Sequence, residues 1–149
     1  MDVEIIKKLR DQTGAGIMEI KHALEEAEGE AEKALELLMK KVSGKAAKKA
    51  DRTAGDGLVH SYIHAGGKVG SLVHVACETD FVAKTDDFQK FCHDLAMQVS
   101  AYDFENIEEL LESEDLRDAS KTVKAKLEEL TAKLGEKIEI KRFVKYTIN

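Results

Sequence analysis

One stretch of the sequence, residues 69–78, constrains the fold more than any other. Its smaller and apolar side chains recur at every second position: Val69, Ser71, Val73, Val75 and Cys77. A period of two places successive side chains on opposite faces of a sheet, so the pattern predicts a strand with one buried face. Residues 58–64 are also rich in strand formers, and residues 65–68 between the two segments contain two adjacent glycines suited to a tight turn. The sequence therefore predicts a β-hairpin.

The hairpin leads into residues 79–84, and a helix pattern follows. Thr85 can cap that helix, and Asp86 and Asp87 suit the positive end of its dipole. Its predicted buried stripe is Phe88, Cys92, Leu95 and Val99, with Phe91 alongside. A junction between a strand and a helix is a common place for functional groups, because its flanks hold it rigid.

Two further helices and a third strand are predicted after this point. A short helix carries Ile107 and Leu110, and a longer one runs over residues 116–134, where Gly135 can end it. Residues 137–148 alternate as a strand, and the face predicted to be apolar is Ile138, Ile140, Val144, Tyr146 and Ile148. The region then forms a three-stranded antiparallel sheet with helices on one side.

The N-terminal part has a different character. Residues 1–43 predict three short helices, with turns at Gly14-Ala15-Gly16 and at Gly29. The predicted fold class is therefore α+β, organised as a three-helix bundle (1–43), a basic linker (44–57) and a core of three antiparallel strands packed with helices (58–149). The Ala/Lys-rich first half of the linker has good helix propensity.

Charge and composition exclude several classes of protein. No apolar run approaches the roughly 18 residues of a membrane span, and the start of the chain lacks the pattern of a signal peptide. Two cysteines, Cys77 and Cys92, make no disulfide framework, which favours the cytoplasm. The net charge of −6 argues against direct nucleic-acid binding, although residues 40–52 are locally basic.

Several motifs resemble the elongation factor Ts family. The most specific is Thr-Asp-Phe-Val-Ala-Lys at 79–84, combined with Thr-Gly-Ala-Gly-Ile-Met-Glu at 13–19. The resemblance continues in Lys-Ala-Ala-Lys-Lys-Ala at 45–50 and in residues 134–142. It implies a ubiquitin-associated-like N-terminal module and a short form of the family, in which two copies pair as a homodimer.

The resemblance also implies a function. The family exchanges guanine nucleotides on elongation factor Tu, which it meets both GDP-bound and nucleotide-free. Residues Thr79, Asp80, Phe81 and Val82 are then expected to disturb the partner's Mg²⁺ site. A second expected contact surface in the N-terminal module comprises Leu9, Arg10, Gly14, Gly16, Ile17 and Met18. No catalytic residue, cofactor or metal ligand is expected in this chain, so it is not expected to be an enzyme.

Alternatives remain open on the residues alone. Asp80 could be a helix cap and Phe81 a core aromatic that continues the stripe to Phe88. The chain could instead be a ubiquitin-associated-type adaptor acting through residues 1–43, or an RNA-binding protein acting through the basic segment 40–52. A nucleophilic Cys77 paired with a histidine has less support, because Cys77 falls on the apolar strand face with Val73 and Val75, where a buried and inert thiol is usual. A zinc site among the five histidines also has less support, because it would lack the close Cys/His pairs typical of such sites.

Overall fold

The structure, a computed structural model, describes residues 2–149. The described residues divide into two compact units, residues 2–51 with Glu128–Gly135 and residues Arg52–Leu127 with Glu136–Asn149. Within the described residues the helices are α1 (Val3–Thr13), α2 (Ile17–Glu26), α3 (Ala31–Lys48), α4 (Asp80–Ala83), α5 (Asp86–Ala101), α6 (Ile107–Glu112) and α7 (Val123–Leu134). The strands are β1 (Asp56–Ile63), β2 (Val69–Cys77) and β3 (Glu139–Thr147). The predicted α+β class is confirmed.

The first unit is built on the core of α1, α2 and α3. Two alanines with no exposed surface, Ala23 on α2 and Ala34 on α3, lie in that core beside Leu24 and Leu38. Gly14 ends α1 in the left-handed conformation with φ of 70°, which favours glycine. Helix α3 continues to Lys48, five residues into the segment expected as a linker, as the helix propensity of its Ala/Lys run allows.

The second unit is a sheet of order β1-β2-β3 with every neighbour antiparallel. One face of β2 packs beneath α5, where Phe88 and Val73 are almost completely buried. The buried hydroxyl of Ser71 donates a 2.6 Å hydrogen bond to the carbonyl oxygen of Ala96 on α5. A strand and a helix are thus fixed to each other by polar as well as apolar contacts.

The predicted face of the last strand is wrong beyond Ile140. Val75 pairs with Ile140 and His74 pairs with Arg142, so Lys141 is an extra residue that forms a β-bulge. A bulge shifts the alternation by one position. Ile138 and Ile140 are buried as predicted, whereas three residues expected beside them lie on the opposite face and are exposed: Val144, Tyr146 and Ile148.

The long helix predicted over residues 116–134 begins only at Val123. Two aspartates upstream capture backbone N–H groups that a helix would use. The carboxylate of Asp115 accepts from Asp118 N at 3.0 Å, and that of Asp118 accepts from Ser120 N at 3.1 Å. Such local side-chain bonds compete with helix formation. The buried amide of Gln98 also accepts from Leu116 N at 3.0 Å, which holds this segment in an irregular conformation.

Candidate functional site

Residues 79–84, expected as a protruding loop, form a single helical turn. The hydroxyl of Thr79 caps this turn, α4, by accepting a hydrogen bond from Val82 N at 3.3 Å. Thr85 then caps α5 by accepting from Phe88 N at 3.2 Å. The cap of α4 is therefore Thr79, and the interpretation of Asp80 as the cap is wrong. Two caps six residues apart start two separate helices, so the side-chain phase of α5 does not extend back into α4.

Phe81 points out of this turn. Its relative exposure is 85%, whereas its neighbours Val82 and Ala83 are buried at 9% and 2%. Phe88 is buried whereas Phe81 is exposed, so the two rings do not share a core. The interpretation of Phe81 as a core residue continuous with Phe88 is therefore wrong. Covering an almost fully exposed aromatic ring lowers the free energy of the system, which makes Phe81 a candidate contact for another molecule.

Asp80 is also exposed and forms an ion pair with Lys84, with 2.8 Å between the carboxylate and the ammonium nitrogen. The hydrogen bond from Lys84 to Asp80 raises the pKa of the lysine. An ion pair this exposed contributes little to stability. The carboxylate can therefore exchange Lys84 for a charged group of a partner at small cost.

Behind the turn, two glutamates bind the backbone of each other's segment. Glu136, between α7 and β3, accepts from the N–H groups of Glu78 and Thr79 at 3.1 and 2.9 Å and from the Thr79 hydroxyl at 2.7 Å. Glu78 in turn accepts from Lys137 N at 2.6 Å. The sequence carries no local signal for this contact, because the two segments are 57 to 59 residues apart.

The surface expected in the N-terminal module is only partly exposed. Met18 and Ile17 are 61% and 47% exposed at the start of α2, and Arg10 is exposed on α1. Gly14 and Gly16 form the turn between these helices. Leu9 is 3% exposed, so it supports this surface from the core and does not reach it. Val82, an expected contact residue of the other surface, is likewise buried, so it supports α4 from inside.

Glu19 holds this turn closed. Its carboxylate accepts from Gly16 N at 3.0 Å and from the ammonium group of Lys45 on α3. The hydrogen bond from Lys45, followed by that from Gly16 N, lowers the pKa of Glu19. One lysine of the basic segment 40–52 is therefore committed to an internal ion pair, which weakens the interpretation of that segment as an RNA-binding strip.

The residues of the other chemical alternatives do not form a reactive site. Burial raises the pKa of Cys77 to about 11 and that of Cys92 to about 12, so both thiols stay protonated near neutral pH. His60 and His93 form a pair, with 3.2 Å between ring nitrogens. Among residues 2–149, no group of three His, Cys, Asp or Glu side chains could hold a metal ion. Nor does any helix in that range have the length and apolar character to cross a membrane.

The sheet face opposite α5 is apolar and uncovered within the second unit. We call it the open sheet face; its exposed members are Val59, Ile63, Leu72, Val144, Tyr146 and Ile148. Part of this face forms a shallow groove of about 410 Å³. Soluble proteins rarely leave so many neighbouring large apolar side chains exposed.

Comparisons with known proteins agree on one family. The family model described as Elongation factor TS matches residues 78–149, which include the exposed turn and Glu136. A protein of Clostridium kluyveri named Elongation factor Ts is 47% identical over 146 residues. These are 98% of this chain but 48% of the relative, so the chain spans about half the length of that relative.

Shorter relatives are covered almost completely. The Elongation factor Ts of Moorella thermoacetica is 41% identical over an alignment of 188 positions, which covers 96% of this chain and 93% of the relative. That of Caldanaerobacter subterraneus is 39% identical over an alignment of 191 positions, which covers 98% of this chain and 96% of the relative. Because both alignments are longer than the 149 residues of this chain, these relatives contain residues that this chain lacks.

Proposed function

Because the chain belongs to the elongation factor Ts family, we propose that it acts in translation elongation as a guanine-nucleotide exchange factor for elongation factor Tu. The observation that carries this proposal is the 85% exposure of Phe81 on a capped helical turn whose other apolar residues face inward. An aromatic ring held out in this way suits insertion into a partner. We place this activity in the cytoplasm.

The proposed mechanism is mechanical displacement at the partner's nucleotide site. Mg²⁺ requires near-ideal octahedral geometry and bridges the nucleotide phosphates. A ring wedged between elements of the partner shifts the groups that hold the ion, because packed interfaces switch between discrete arrangements. Asp80 can leave Lys84 and engage a partner group at the same time. The nucleotide then loses affinity, and this chain makes or breaks no covalent bond.

Linkage sets the direction of the cycle. If the factor weakens GDP binding by a given ratio, GDP weakens factor binding by the same ratio. The chain should therefore bind nucleotide-free elongation factor Tu more tightly than the GDP-bound form, and incoming GTP should release it. The surface around Arg10, Ile17 and Met18 is proposed as a second contact that holds the complex together without acting on the nucleotide.

We further propose that two copies pair as a homodimer through the open sheet face. Burying large apolar side chains such as Leu72, Tyr146 and Ile148 stabilises association by roughly 25 cal/mol for each Å² removed from water. Covering this face with a second copy would remove the exposed apolar surface from both chains at once.

The decisive experiment is stopped-flow release of a fluorescent GDP from purified elongation factor Tu. Phe81→Ala should reduce the acceleration about 30-fold or more, as removal of an aromatic hot spot of ~2 kcal/mol does. Tyr102→Ala, which removes a half-exposed aromatic elsewhere in the same unit, should retain the acceleration. Equal acceleration by the wild type and by Phe81→Ala would reject the proposed mechanism.

A further inference from the structure

We propose that Glu136 is a positioning residue that holds Phe81 in its outward orientation before any partner binds. Its effect on nucleotide release rests on the proposed function, whereas its effect on the exposed turn can be measured on this chain alone. The residue lies in the connection between α7 and β3, far from Phe81 in sequence.

The turn needs an anchor because it is too short to be stable by itself. Helix α4 has four residues. Isolated helices shorter than about 12 residues are marginal in water, since the first turn fixes several backbone angles for one hydrogen bond. The orientation of Phe81 must therefore be set by contacts outside α4.

Glu136 supplies those contacts at the start of the turn. One carboxylate oxygen accepts from the N–H groups of Glu78 and Thr79, and the other accepts from the Thr79 hydroxyl at 2.7 Å. That same hydroxyl oxygen accepts from Val82 N at 3.3 Å. A continuous series of hydrogen bonds thus runs from Glu136 through Thr79 to the residue that follows Phe81.

A second carboxylate closes the arrangement from the other side. Glu78 accepts from Lys137 N at 2.6 Å, and the Arg52 guanidinium lies 3.4 Å from the same oxygen. Each strand-end segment therefore binds the backbone of the other through a charged acceptor. We call these two sets of contacts, Glu136 with the segment Glu78–Thr79 and Glu78 with Lys137, the clamp. Hydrogen bonds to charged groups are about twice as strong as neutral ones, so the clamp restrains both segments.

Restraint of the turn should lower the cost of binding. A ring that is already oriented loses less conformational freedom when it meets a partner. Removing the clamp would reduce the population of the competent orientation, which raises the half-saturating concentration but leaves the maximal rate nearly unchanged. A residue that only stabilised the fold would not produce this division.

The test compares Glu136→Gln with the wild type in three measurements. Amide hydrogen exchange at Thr79 and Val82 should become about tenfold faster. Because the chain contains no Trp, Phe81→Trp introduces a single reporter, and its fluorescence anisotropy should fall when Glu136→Gln is added. In GDP release, the half-saturating concentration should rise about tenfold at a similar maximal rate.

Matched variants separate the clamp from general destabilisation. Glu109→Gln removes another carboxylate that accepts a backbone N–H, from Glu105 at 3.1 Å, and should leave all three measurements unchanged. In amide exchange and anisotropy, which need no partner, Thr79→Ser keeps the hydroxyl and should match the wild type, whereas Thr79→Val should reproduce part of the Glu136→Gln effect. These Thr79 variants also decide the matter if Glu136→Gln fails to fold.

The outcomes distinguish the clamp from the proposed function. Unchanged amide exchange and anisotropy in Glu136→Gln overturn the clamp, whatever Phe81→Ala does to GDP release. A GDP-release curve of Glu136→Gln that coincides with the wild type, while Phe81→Ala abolishes acceleration, overturns its positioning role. If Phe81→Ala has no effect, the proposed function fails, and the amide and anisotropy measurements still decide whether Glu136 holds the turn.

Discussion

The two thiols near the exposed turn should be unreactive in the folded protein. Burial raises the pKa of Cys77 to about 11 and that of Cys92 to about 12, and the neighbouring Glu136 carboxylate adds to the effect on Cys77. A thiol reagent at pH 8 should therefore react at the rate at which the protein opens. Full reaction within seconds in denaturant, against hours in buffer, would be the expected contrast; rapid reaction in buffer would contradict the burial of both residues.

Glu19 should make stability depend on pH in the acid range. Its folded-state pKa lies below the ordinary value of 4.5, chiefly through the hydrogen bond from Lys45. This contribution is fully present above pH 4.5 and is lost as the pH falls through the lower folded-state pKa. Urea unfolding at several pH values should show a smaller acid-induced loss in Glu19→Gln than in the wild type, and Glu25→Gln on the same helix serves as the control. Parallel pH profiles for all three proteins would refute the assignment.

Individual residues show where sequence reasoning stops. The exposure of Phe81 could be expected only from the family motif, because its seven-residue separation from Phe88 fits a continuous buried stripe equally well. Thr85 caps the start of a separate helix, α5, and so interrupts that stripe. Glu136 could not be predicted at all, since its role depends on the approach of segments 57 residues apart.

Among the strands, β1 contains a glycine that should not tolerate a side chain. Gly57 has φ of 138°, and an added Cβ would overlap the backbone of Val75 on β2. Gly57→Ala should therefore lower the free energy of unfolding by about 2 kcal/mol or more.

Gly70 on β2 is the matched position for that test. Its nearest obstacle is the flexible end of the Ile63 side chain, at 2.5 Å from the added Cβ, and its backbone is not left-handed. Gly70→Ala should cost less than about 1 kcal/mol. Thermal or urea unfolding of the two variants measures the difference, and equal losses would show that the contact with Val75 is relieved by backbone movement.

Most elements were predictable because their patterns are local. The hairpin, α5 and its cap follow from alternation, glycine placement and the Thr85-Asp86-Asp87 sequence. The start of α7 was not predictable from periodicity, since Asp115 and Asp118 keep residues 116–122 out of the helix even though Leu116 fits its stripe. Local hydrogen bonding thus decided an element boundary that apolar spacing had placed about two turns too early.

At the scale of the whole molecule, the open sheet face should govern association. Leu72→Glu places a charge at its centre and should weaken the proposed homodimer at least tenfold, because an unpaired charge would be buried. Sedimentation at tens of micromolar measures the effect, with Gln89→Glu on the exposed side of α5 as the control. A wild-type protein that stays monomeric, or a loss of dimer only in Gln89→Glu, would reject pairing through the sheet.

The division into units was only partly foreseeable. A boundary between a helical N-terminal part and a sheet follows from the change of pattern near residue 55, but Glu128–Gly135 belong to the first unit although they are close to the end of the chain. Periodicity describes neighbours along the sequence and carries no information on which unit a late segment joins.

The bulge at Lys141 has a consequence for how this region can vary in length. Because the bulge absorbs Lys141 as a surplus residue, deleting Lys141 would let β3 pair with β2 without a bulge and leave Tyr146 on its present side, facing away from α5. Deleting a second residue from the same segment would instead reverse the two faces in the rest of the strand. Related chains that are shorter between Ile140 and Phe143 should therefore lack one residue and keep the same faces, and a chain shorter by one residue with its faces reversed would contradict this rule.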